Sequence, residues 1–152
     1  MNTTTQQHET IDALGKKGTC IEFFSAYQDF DLDRMLSLCN RTGEVFFEPL
    51  CDAGKGKIYE TRKGLWSALM EAIPNLDNTV KSQTFDEITN TVTCTVAIFG
   101  TQEKEFAGLP PKGLRFDTEH IFIFHFDDQA KIDKININWD HDRFVKFLTV
   151  SL

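Results

Sequence analysis

Arg115-Phe116-Asp117-Thr118-Glu119-His120-Ile121-Phe122-Ile123-Phe124-His125-Phe126 and, four residues on, Lys131-Ile132-Asp133-Lys134-Ile135-Asn136-Ile137-Asn138-Trp139-Asp140 decide the fold. Side chains on a strand alternate between two faces. In the first segment Phe116, Thr118, His120, Phe122, Phe124 and Phe126 share one face, and Asp117, Glu119, Ile121, Ile123 and His125 share the other. In the second, Ile132, Lys134, Asn136, Asn138 and Asp140 alternate with Asp133, Ile135, Ile137 and Trp139. Residues 127–130 are polar enough to turn the chain, so the two segments pair as a hairpin. One of its faces mixes aromatic with polar groups and the other is rich in Ile and Trp. Both want cover, the first from helices as a pocket and the second from another subunit. The second face, with Ile121, Ile123, Ile135, Ile137 and Trp139, is the expected contact of a homodimer.

Working outward, the same two-residue period runs through 79–88 and 91–101, with Asn90 at the turn between them. Before Pro74 the period is helical. Cys20, Phe23, Phe24 and Tyr27 recur at that spacing from about Thr19, since Gly15 and Gly18 interrupt the chain before it. Asp31 is a good N-cap for a short helix carrying Leu32, Met35 and Leu36, which residues 40–43 stop. Residues 45–50 alternate as a strand, and Thr61 caps a helix over 62–73 with Leu65, Trp66, Leu69, Met70 and Ile73 on one stripe. A terminal helix follows from His141. Helices first and sheet after is the α+β class. No linker or repeat divides the chain, so residues 1–11 read as a flexible polar tail and 12–152 as a single domain.

The 152 residues include 16 basic and 23 acidic side chains, a net charge of -7, which argues against nucleic acid and anionic membranes as partners. There is no signal-like segment and no long apolar run, so a cytoplasmic place is expected. Cys20, Cys39, Cys51 and Cys94 lack metal-ligand spacing and read as reduced thiols. Phenylalanine occurs 14 times against two tyrosines, an apolar demand suited to a hydrophobic or aromatic small-molecule ligand.

The loop Gly108-Leu109-Pro110-Pro111-Lys112-Gly113, then Arg115-Phe116 and Glu119-His120-Ile121-Phe122, resembles the SnoaL-like polyketide cyclases of the nuclear transport factor 2-like superfamily. The likeness continues through Lys131-Ile132 and Trp139-Asp140, and upstream through Asp31-Leu32-Asp33, Glu48-Pro49 and Ile73-Pro74-Asn75. It implies a cone-shaped curved antiparallel sheet wrapped by N-terminal helices, usually dimeric, with a pocket between sheet and helices. The chain departs from the family where Asn136 replaces a usual tryptophan, Lys134 a glutamate, and Phe47-Glu48 a histidine-aspartate pair.

The resemblance puts His120 and Asp140 at the family's polar pocket positions, and strand parity places both on the pocket face. A carboxylate among phenylalanines has its pKa raised and is suited to take a proton beside a carbonyl, with an imidazole stabilising the enolate, the logic of an aldol ring closure. Lining without chemistry is the second reading, as a non-catalytic ligand-binding or regulatory domain. In the third, Asp140 caps the terminal helix and His120 is a satisfied core histidine. Asn136 and Asn138 either fix ligand oxygens or bridge to water. Phe116, Phe122, Trp66, Met70, Phe47, Tyr27 and Phe23 form the apolar wall of a pocket or ordinary core. Glu48, opposite in parity to Phe47, is a weaker acid candidate. A metal centre from His120, His125, His141, Asp140 and Asp142 is opposed by parity, so no metal is expected, and no nucleotide or other cofactor motif occurs.

Overall fold

A computed structural model of the chain describes residues 9–149; most of the expected N-terminal tail, residues 1–8, lies outside them. Helix α1 spans Ile11–Gln28, beginning well before the expected Thr19. The Thr10 side chain caps it by accepting from the Ala13 amide at 3.0 Å, and Lys16 pairs with Asp12 one turn away at 3.0 Å. Gly15 and Gly18 each cost roughly 1 kcal/mol of helix propensity. The cap and the burial of Cys20, Phe23, Phe24 and Tyr27 against the sheet outweigh that cost.

Asp31 caps α2, Leu32–Ser37, as the sequence indicates. The chain then enters strand β1, Cys39–Phe47, without the stop expected at 40–43. Two 3-10 segments, Glu48–Gly54 and Ile58–Lys63, flank a short β2, Lys55–Lys57. Thr61 does not cap a helix: its hydroxyl donates back to the Ile58 carbonyl at 2.5 Å, and Gly64 separates the 3-10 turn from α3, Leu65–Ala72. Strands β3, Asp77–Asp86, β4, Thr91–Thr101, β5, Arg115–Phe126, and β6, Ile132–Trp139, follow, and α4, His141–Thr149, closes the described chain.

The strands form one curved sheet in the order β2-β1-β6-β5-β4-β3. It is antiparallel except between β1 and β6, which run parallel. Alternation along β4 and β5 is regular: Val92, Cys94, Val96 and Ile98 point inward beside Phe116, His120, Phe122 and Phe124. Helices α1 and α3 lie against this inner face, where the edge-on rings of Phe23, Phe24, Phe122 and Phe124 interlock. One wall of an α+β roll thus carries the core and the other faces outward.

The faces expected for β6 are reversed. His125 pairs with Lys134 and Phe126 with Ile132, so Asp133 is one residue too many on β6, a bulge. Beyond it Ile135, Ile137 and Trp139 turn inward with Ile132, while Asn136 and Asn138 turn outward. The expected apolar outer face is therefore split. Ile121 and Ile123 remain on it, and Ile135, Ile137 and Trp139 do not.

Candidate active site

His120 is a buried polar group of the inner face, next to the still more buried Thr118. It is 8% exposed and stands directly across from Trp139, with its ring stacked on the indole at 5.3 Å and 20°. Its Nδ1 lies 3.1 Å from the Thr118 carbonyl oxygen, with the Thr118 hydroxyl at 3.4 Å. A carbonyl only accepts, so Nδ1 carries the proton and Nε2 holds a lone pair. Burial pushes the imidazole down to about 4, the backbone bond to Thr118 acting the other way. It is neutral at pH 7.

The cavity in front of it encloses about 60 Å³. Tyr27, Phe47 and Trp66 line one side, with the Phe47 and Trp66 rings edge-on at 5.6 Å. Burial pushes the Tyr27 phenol up, against a hydrogen bond from Trp66, so it too stays protonated. The other side holds Phe116, Phe122, Ile137, Trp139, His141 and Phe144. Here the Trp139 indole N–H donates to His141 Nδ1 at 3.2 Å, and His141 stacks on Phe144 at 5.9 Å. None of the described residues lining the cavity carries a carboxylate.

Of the residues expected around a ligand, His120, Phe116, Phe122, Trp66, Phe47 and Tyr27 line this space. Phe23 and Met70 are buried in the core behind it. Asn136 and Asn138 belong to the outer face because of the bulge, and Asn136 Nδ2 donates to Glu48 Oε2 at 2.5 Å. Asp140 is exposed and its Oδ1 accepts from the Arg143 amide at 3.0 Å. It caps α4 instead of facing the cavity. Periodicity did not single out Trp139 or His141 for the pocket. A signal existed: Ile132 and Ile135 are both large and aliphatic at odd separation, which an unbroken strand would not bury together.

Leu50, on the first 3-10 segment, and Phe106 and Ala107 complete the lining, with Ala107 exposed at its outer edge. Phe106 and Leu109 exchange backbone hydrogen bonds across a tight turn in which Ala107 has φ 51° and Gly108 φ 82°. The prolines that follow are exposed, so the rim is made by the residues ahead of them. A wider concavity of about 900 Å³ spans the outer face from β2 across β1, β6 and β5 to the start of β4. It is open, and Lys55, Lys57, Glu44, Glu60 and the His125–Asp133 pair at 2.5 Å give it a charged wall. The enclosed aromatic cavity is the better match to a specific small-molecule site. No group of three or more metal-ligating side chains occurs among the described residues.

Similarity to known proteins follows the same lines. A candidate SnoaL-like polyketide cyclase from Jannaschia Sp. CCS1 superposes with a TM-score of 0.83 at 17% identity, covering 95% of this chain and 99% of that one. The candidate polyketide cyclase IdmH from Streptomyces antibioticus gives 0.73 at 20%, over 89% and 99%. AclR, a candidate hydroxylase from Streptomyces galilaeus, gives 0.74 at 20%, over 87% and 93%. At such identities the likeness is one of fold. None of the curated proteins matches. The model of the SnoaL-like polyketide cyclases matches residues 56–146, more than half of the sequence and all of β3 to β6, and the chain belongs to that family.

Proposed function

We propose that this protein holds a small, largely apolar, hydrophobic or aromatic molecule in the inner cavity, with His120 Nε2 meeting the ligand's most acidic hydrogen. The supporting observation is the Nε2 of the buried His120, which has no partner among the described residues, in an aromatic enclosure whose described lining has no carboxylate. A neutral imidazole held near 4 accepts a hydrogen bond well and removes a carbon-bound proton poorly. Binding without turnover is therefore the reading the site favours. Aldol-type ring closure is the second reading, favoured by membership of a cyclase family; in it His120 acts as the base, and the capped, exposed Asp140 has no part.

About 60 Å³ is enough for only a few waters, so a ligand of ten heavy atoms enters by displacing Leu50 and the Phe106 turn. Native mass spectrometry of gently purified protein tests the reading. A small molecule released on unfolding, and lost on Ile137→Asp, is the expected result. Protein that emerges empty and takes up no bicyclic aryl ketone at millimolar concentration would overturn it. A homodimer formed through the outer face and a cytoplasmic place belong to the same proposal, the latter supported by four free cysteines, three of them buried.

A further inference from the structure

We propose that His141 is a specificity residue of the inner cavity and that, with His120, it selects a ligand bearing both an acidic O–H and a carbonyl, of which a hydroxyaryl ketone is the simplest. The inference rests on the pocket reading above. It comes from the tautomers of the two imidazoles, which their neighbours dictate in opposite senses. An indole N–H only donates, so the 3.2 Å bond from Trp139 leaves His141 Nδ1 bare and puts the proton of the neutral ring on Nε2. The Thr118 carbonyl does the reverse to His120, leaving its Nε2 bare. Neither Nε2 has a protein partner among the described residues.

Both rings are braced by one block. His120 stacks on the face of Trp139, and His141 bonds to the edge of the same indole while stacking on Phe144. His141 is also the first residue of α4, whose start is fixed by the Asp140 cap and by the Phe144 amide donating to the Asp140 carbonyl at 3.0 Å. The cavity thus offers an acceptor and a donor on a rigid mount, surrounded by Phe116, Phe122 and Ile137. A ligand lacking the O–H leaves the nitrogen of the buried His120 unpaired, and one lacking the carbonyl forgoes the bond from the half-buried His141.

Isothermal titration with three ring-matched probes tests this: 3′-hydroxyacetophenone, acetophenone and phenol. The hydroxy ketone should bind about tenfold more tightly than either single-function probe. His141→Phe keeps a ring and removes the donor, so the preference over phenol should collapse. His120→Phe should collapse the preference over acetophenone. Equal affinities for all three probes overturn the proposal and leave the pocket reading standing, whereas no heat from any of them removes both. Independent of whether the variants fold, a long-range proton–nitrogen spectrum of the wild-type imidazoles should show the proton on Nδ1 of His120 and on Nε2 of His141. The opposite tautomer at either ring overturns it.

Discussion

The cost of keeping His120 uncharged appears as a pH dependence of stability. An imidazole in the unfolded chain takes up a proton near 6.5, and the buried one only near 4. Between those values the unfolded state binds more protons, so stability is full above about 6.5 and falls as the pH drops toward 4, by about 3 kcal/mol for this group alone. Urea unfolding at pH 7 and 4.5 should therefore show wild type losing about 2–3 kcal/mol relative to His120→Phe at the acid value; a difference independent of pH would mean the ring is hydrated. Asp140 makes a different kind of contribution. As a helix cap, its replacement by Ala should cost about 1 kcal/mol and by Asn only a few tenths, because Asn caps as well. Equal losses in thermal melts of the two variants would point to the charge rather than the cap.

At the level of elements, β6 owes its orientation to one surplus residue. Removing Asp133 leaves Ile132, Lys134, Ile135, Asn136 and Ile137 in plain alternation, so the deletion should fold with its inner face unchanged. Removing Asn136 turns Ile137 and Trp139 outward and should abolish the cooperative melt seen by circular dichroism. If both deletions fold equally well, register is not what fixes this strand. The bulge also marks the limit of what was legible in the sequence. The helix-then-strand order, the bounds of β4 and β5, and the Phe116-to-Phe126 face could be read from period alone, because those strands are long and regular. The polar half of the site could not be read this way: one inserted residue moved Asn136 and Asn138 to the far face, and the Asp140 carboxylate went to the Arg143 amide of α4. The helical rise of α1 through two glycines was hidden for a related reason, since tertiary burial decided it and local propensity did not.

For the molecule as a whole, the sheet has one face committed to its own core and one that is not. On the uncommitted face Ile121 and Ile123 sit half-buried beside Thr93, Thr95 and Ala97 of β4, a small-residue surface suited to a second sheet. Ile123→Lys should shift sedimenting protein from dimer to monomer at micromolar concentration without lowering the melting point of the monomer; wild type sedimenting as a monomer would remove this assembly. The indoles are gathered at one place in the molecule. The sequence has two tryptophans, and both Trp66 and Trp139 line the cavity. Under ultraviolet excitation, all of the protein's indole emission therefore originates at the wall of the binding space. An arriving aryl ketone would darken it and an opening to water would redden it, so the untouched protein reports the contents of its own interior by colour and brightness.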